Sequence, residues 1–176
     1  MEAGACACAD SPEQLPVAVL ALKDRADALF LARGFAEAMG LYDHCLRHLA
    51  FAPERAAPRQ LLDRALFFRV LGNVAMCLIN LGSHREALAY CEFILAMEPG
   101  NVKAYHRAAV CLERLGRAEE AIRVLRLGKP HVAGQGAAGA REYFALLNRL
   151  IKEHNAAVDA QARQMRSFLG PAAPTP

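Results

Sequence analysis

Polar side chains that could act together recur along this chain at helical spacing. Lys23 and Asp27 stand four residues apart, as do Lys103 and Arg107, so each pair shares one helix face. Asn73 interrupts the otherwise apolar stretch Val70–Leu81. Ammonium, guanidinium and amide NH₂ groups are all donors, a set suited to an acceptor-only ligand such as a carboxylate.

Other constellations carry less. Gly134-x-Gly136-x-x-Gly139 fits a dinucleotide fingerprint by letter, but that pattern has meaning only between a strand and a helix. Helical segments flank it here, so a flexible linker is expected. Cys6-x-Cys8 has no second pair at zinc-like spacing and lies in a low-complexity Ala/Cys run. The six His are scattered, with no His-Glu-x-x-His or comparable ligand spacing, so no metal and no cofactor are expected. No Gly-x-Ser-x-Gly occurs. A dyad assembled by folding, Cys45 or Cys91 with His44 or His84, would need a thiol of depressed pKa in an open cleft. The chain reads as a non-enzyme.

The elements that must position these groups are helices. The chain has 176 residues, 55% hydrophobic and 22% charged, with no Trp. It is rich in Ala and Leu and poor in β-branched residues, which favours an all-α protein. The net charge of +3 is too small and too interspersed for a nucleic-acid partner but allows a local basic site. No signal peptide, glycosylation acceptor or membrane-length apolar run is seen. Cys45, Cys77, Cys91 and Cys111 fall in apolar periodic segments and read as small core hydrophobes. A reducing, cytoplasmic setting is expected, with the nucleus also open.

Sliding the sequence against itself aligns Asn73–Gly82 with Arg107–Gly116 at an offset of 34. Ala75/Ala109, Cys77/Cys111, Leu78/Leu112, Leu81/Leu115, Gly82/Gly116, Glu86/Glu120 and Ala87/Ala121 coincide. The small residues let paired helices approach closely, and Gly82 and Gly116 stand where the first helix of each pair must end in a left-handed cap. Pro99 follows the second helix, which it cannot continue. A more diverged copy runs from Lys23 through Phe30, Arg33-Gly34-Phe35, Ala38, Tyr42 and Cys45.

This pattern resembles the tetratricopeptide repeat, whose period is 34. The repeats are placed at 19–52, 68–101 and 102–135, with an insertion at 53–67. Pro53 and Pro58 mark a turn in that insertion, and Gln60–Phe67 extends the next helix backwards. Residues 1–16 and 170–176 are expected to be disordered. Residues 136–169 would form a linker and a long capping helix from Ala140, with Tyr143, Leu146, Leu147, Leu150 and Ile151 as its apolar stripe. The resemblance implies a right-handed superhelix of three helix pairs whose first helices line a concave groove.

Lys23, Asn73, Lys103 and Arg107 resemble the carboxylate clamp of co-chaperone domains, closest to immunophilin-type and aryl-hydrocarbon-receptor-interacting-protein-type members. The insertion, Asn101-Val-Lys-Ala-Tyr105 and Ala162–Phe168 add to that likeness. The sixteen residues before the repeat region at 17–135 are too few for the isomerase-like domain such proteins carry, so an adaptor is expected. The resemblance implies binding of the C-terminal Glu-Glu-Val-Asp tails of seventy- and ninety-kilodalton heat-shock chaperones, a possible client, and no membrane. Lys23 and Asn73 would hold the terminal carboxylate. Lys103 and Arg107 would engage the Asp side chain, and Phe30, Met76 and Val110 would read the apolar residue upstream.

Asp27 departs from the pattern, standing where the family has Asn. A second carboxylate about 4 Å away costs on the order of 4 kcal/mol before relaxation at an effective dielectric near 20. Pairing with Lys23 or proton uptake are the two ways to soften that penalty. The alternative reading is a scaffold with a disabled clamp that binds an internal peptide or helix of a dedicated partner.

Overall fold

The computed structural model of the chain describes residues 15–50, 57–134 and 136–169. Among these residues every regular element is helical: α1 (Leu15–Leu31), α2 (Phe35–Ala50), α3 (Ala57–Asn80), α4 (His84–Met97), α5 (Val102–Arg114), α6 (Ala118–Gly128), a short 3-10 helix (Lys129–Gly134) and α7 (Ala137–Leu169). None of these helices is long and apolar enough to cross a membrane.

The chain divides into two compact units, residues 1–99 and 100–176. In the first, α1 packs on α2, α2 on α3 and α3 on α4; in the second, α5 packs on α6 and α6 on α7. Small side chains set these seams. Ala26, Ala38, Ala75 and Ala87 in the first unit, and Ala109 and Ala121 in the second, are wholly buried. A methyl group is all that fits where two helix backbones approach this closely, so larger residues there would force the helices apart.

The helix pairs end their first helices in one way. After α3, the Ser83 N–H donates to the Leu78 carbonyl at 2.9 Å and Gly82 N–H to Ile79 at 3.2 Å. After α5, Arg117 donates to Leu112 at 2.8 Å and Gly116 to Glu113 at 2.9 Å. These paired bonds require a left-handed residue, supplied by Gly82 (φ 84°) and Gly116 (φ 76°). After α1 the same bonds run from Gly34 to Leu29 and from Arg33 to Phe30. There the left-handed position holds Arg33 (φ 63°), whose Cβ makes that conformation strained.

In the second unit α6 meets its neighbours across Gly128. A Cβ on that residue would stand 2.6 Å from the Tyr105 ring and against the Tyr143 hydroxyl. Tyr143, itself buried, donates to the Leu125 carbonyl. Tyr143, Leu146, Leu147 and Leu150 bury the first half of α7, as their spacing predicts, while Ile151 is half-buried. Arg149 of α7 makes a two-pronged bond to Glu113 of α5, at 2.6 and 3.0 Å.

Some boundaries differ from the sequence reading. Leu15 and Pro16 already belong to α1. Gln60–Phe67 extend the next helix backwards as expected, but α3 opens earlier, at Ala57, and Pro58, expected in a turn, sits in its first turn, where a missing N–H costs nothing. α7 starts at Ala137 rather than Ala140, because Gly139 falls in its first turn, where it does not break the helix as it would in the interior. The expected disordered stretches at 1–14 and 170–176 lie outside the described residues, as do Pro53 and the Cys6-x-Cys8 pair.

Candidate functional site

The first unit gathers its polar groups around one carboxylate. α1 carries Lys23 and Asp27 one turn apart, α2 supplies Tyr42 and α3 supplies Asn73. Lys23 Nζ lies 2.6 Å from Asp27 Oδ2. Tyr42 donates its hydroxyl to Asp27 Oδ1. Asn73 Nδ2 points at the same oxygen at 3.2 Å and at the Tyr42 hydroxyl at 3.3 Å. Lys23 also faces the exposed Asp24 at 3.6 Å.

Local packing forces this convergence. Tyr42 occupies a core position of α2 and is 1% exposed, so its hydroxyl must find a partner inside the unit. Asn73 sits among Val70, Leu71, Val74 and Ala75, which are buried, and its amide is subject to the same constraint. The Lys23 side chain is only 12% exposed, against 38% for Asp27. An acid at 27 satisfies all three donors at once.

Partial burial pushes the Asp27 pKa up. The hydrogen bonds from Lys23 and Tyr42, the charge of Lys23 and the Asn73 amide together outweigh it, and the net shift is downward. Asp27 therefore stays ionised at neutral pH. Of the two reliefs expected from sequence, pairing with Lys23 is realised and proton uptake is not. Burial and the adjacent Asp27 charge raise the Tyr42 pKa well above its ordinary value, so Tyr42 remains a donor.

Lys103 and Arg107 lie on α5 of the second unit, one turn apart as their spacing requires. Lys103 is exposed and Arg107 half-buried. The opposite face of α5 holds Val102, Ala104, Ala108, Cys111 and Leu112 in the core, and Asn101 caps the helix by accepting from the Ala104 N–H at 3.1 Å. Among the apolar residues expected to contact a ligand, Phe30, Met76 and Val110 are all half-buried, on α1, α3 and α5 respectively. Phe30 packs edge-on against Phe35, with ring centres 5.2 Å apart.

Sequence reasoning placed Lys23, Asp27 and Asn73 in one site, and the first unit brings them together. It missed Tyr42, which read only as a residue of the diverged first repeat. A Tyr, rather than a Phe, at a fully buried helix position was the available signal, because its hydroxyl demands a partner. A separate cavity of about 310 Å³ lies against Met39, Asp43, Leu46, Val74, Leu78, Glu86 and Tyr90 of the same unit and includes none of these donors.

The four described thiols do not form the cleft nucleophile that a dyad needs. Cys45, Cys77, Cys91 and Cys111 are buried and not disulfide-bonded. Burial raises Cys45 and Cys77 to about 11, far from the thiolate form at neutral pH.

Residues 78–150 match the family model of the tetratricopeptide repeat. The fold is shared with several solved structures. One is the TPR2B domain of yeast Sti1 in a pHsp70 complex, at 20% identity and TM-score 0.61, covering 77% of this chain and 97% of that one. Another is the Hsp90 co-chaperone Cns1 from Saccharomyces cerevisiae, at 21% identity and TM-score 0.66, covering 91% of this chain and 47% of that one. A third is PcrH, known from Pseudomonas aeruginosa, in complex with the chaperone binding region of PopB. It has 16% identity and a TM-score of 0.59, with 78% of this chain and 97% of that chain covered.

Proposed function

We propose that this tetratricopeptide-repeat chain is a non-catalytic co-chaperone adaptor. In this reading it captures the acidic C-terminal tail, of the Glu-Glu-Val-Asp type, of a seventy- or ninety-kilodalton heat-shock chaperone. The observation that carries the reading is the convergence of Lys23 and Asn73 on a carboxylate. The carboxylate they hold is the chain's own: Asp27 stands in for a ligand group. Lys103 and Arg107 on α5 would supply the charge-assisted bonds to the Asp side chain of the tail. Phe30, Met76 and Val110 would contact its apolar residue. The fold shared with Cns1, an Hsp90 co-chaperone, and with the Sti1 domain, solved in a pHsp70 complex, supports this reading.

The internal acid attenuates the site. A tail carboxylate must share Lys23 with Asp27 and Asp24, and must meet an ionised neighbour. Tail binding is therefore weaker than an Asn at 27 would allow, and sensitive to salt because partly exposed ion pairs are screened. The same observation favours a second reading, in which the acid replaces the ligand for good and the groove binds an internal segment of a partner. The PcrH complex shares the fold and was solved with the chaperone binding region of PopB.

Calorimetric titration with acetyl-Met-Glu-Glu-Val-Asp separates the two. Tail capture predicts binding that is lost when the peptide is C-terminally amidated and in Lys103→Ala/Arg107→Ala. Absence of binding in both the native chain and Asp27→Asn would discard the chaperone-tail reading and leave the internal-segment one.

A further inference from the structure

His44 and His48 lie one turn apart on α2, a spacing that the scattered appearance of the six His conceals. Their Nε2 atoms stand 3.0 Å apart. Their ring centres are 4.7 Å apart, with the planes tilted by 38°. Both rings are half-buried. Neither residue takes part in the carboxylate network described above.

The two separations are those expected of nitrogen lone pairs aimed at a common point. Rings aimed straight at each other would put their centres farther apart, and stacked rings would put them closer. A ring nitrogen stands about 1.2 Å in front of its ring centre. Rings whose axes meet at a common point then reproduce both distances when that point is about 2 Å from each nitrogen, the length of a metal–imidazole bond. The angle subtended there is about 95°, close to the right angle of square-planar and octahedral coordination.

We propose that His44 and His48 form a two-nitrogen chelating site for a divalent transition-metal ion, with copper(II) and nickel(II) as the best geometric fit. Zinc(II) prefers a wider tetrahedral angle and needs the nitrogens opened to about 3.3 Å. Imidazole suits all three ions, and the expected order of affinity is copper over nickel, with zinc below copper.

The surroundings permit a cation. Arg47, the nearest positive side chain on the same helix, is tied to Asp43 at 2.9 Å, so its charge is largely balanced. Among the described residues no group of three or more His, Cys, Asp or Glu gathers to hold a metal. The two rings leave the remaining coordination positions to further donors, water among them.

The test is titration of nickel(II) chloride into the full chain in a non-chelating buffer with a phosphine reductant, read by calorimetry and by imidazole NMR. The proposal predicts one micromolar binding event and paramagnetic broadening confined to the rings of His44 and His48. Affinity should fall at least tenfold in His44→Gln and in His48→Gln, and persist in Cys6→Ser/Cys8→Ser. Circular dichroism verifies the fold of each variant, and the broadening pattern in the native chain decides the matter even if a variant unfolds. Absence of binding overturns the proposal. So does affinity unchanged in both His variants, loss of binding in the Cys variant, or broadening centred on other rings. The pair would then be a plain imidazole–imidazole hydrogen bond.

Discussion

The two units of the chain use one helix-pair plan and fill its interior differently. In the first, the helices close over a polar knot in which Tyr42, Asn73 and Lys23 all bond Asp27. In the second, α6 packs through a close steric seam, with Gly128 against the Tyr105 ring and the Tyr143 hydroxyl. The cations follow the same division. Lys23 is 12% exposed and paired with an acid, whereas Lys103 stands exposed on α5. A cation already neutralised inside its own unit adds little attraction for an anionic ligand, and an exposed one adds more. Charge at a position that resembles the clamp pattern is therefore not the same as charge on offer.

Substitutions at these contrasting points sharpen the comparison. The largest effect is expected at the seam. Gly128→Ala places a methyl group inside two aromatic side chains and should destabilise the second unit by about 1–3 kcal/mol, the cost of overpacking. Gly40→Ala, inside α2 and with nothing within 4 Å of its Cβ, is the control and should stabilise by about 0.5–1 kcal/mol by chemical denaturation. Equal losses at both positions would remove the seam from the account.

Next comes the knot. Asp27→Asn keeps the shape of the side chain and removes its charge. Affinity for the acidic pentapeptide should rise about tenfold, or about 1.4 kcal/mol, measured at low salt. Unchanged affinity would show that Asp27 does not compete with the ligand.

Lys23→Met leaves Asp27 without its cation and should cost about 1 kcal/mol in stability. Lys103→Met, on an exposed surface, should stay within about 0.5 kcal/mol while weakening tail binding. Denaturant midpoints that move equally in both variants would contradict the contrast between the units.

The acid limb of stability reports the same carboxylate. The folded Asp27 pKa is lowered, so the unfolded chain takes up the proton first. Its contribution is complete above the ordinary aspartate value near about pH 4 and is lost as pH falls through the lower folded value. Asp27→Asn should flatten that part of the stability profile and leave neutral pH behaviour to other groups. A wild-type profile that is already flat there would argue against the knot.

The smallest expected change is at the end of α1. Arg33 adopts the left-handed conformation that Gly82 and Gly116 adopt in the other pairs. Arg33→Gly should stabilise the first unit by about 0.5–1 kcal/mol, because relief of the Cβ clash exceeds the added chain entropy. Thermal unfolding checks the sign.

Helix identity and pairing were legible in the sequence because they rest on local rules. The 34-residue offset, the cap glycines and the Ala pairs each state a short-range steric requirement, and the helices obey them. The starts of α3 and α7 were less legible, since Pro58 and Gly139 are breakers only in a helix interior and both fall in first turns. His44 and His48 went unread because a spacing of four says that two rings share a face but not how their lone pairs are aimed.

For the candidate site the division is similar. Residue types and spacing pointed to polar donors on α1, α3 and α5. Only the tertiary structure decided which carboxylate Lys23 and Asn73 hold in the folded chain. That outcome depends on Tyr42, fifteen residues from Asp27, and on Asn73, forty-six residues away, meeting a single oxygen atom. Buried donors must be satisfied by whatever acceptor the packing brings within reach, and no local pattern encodes that distance.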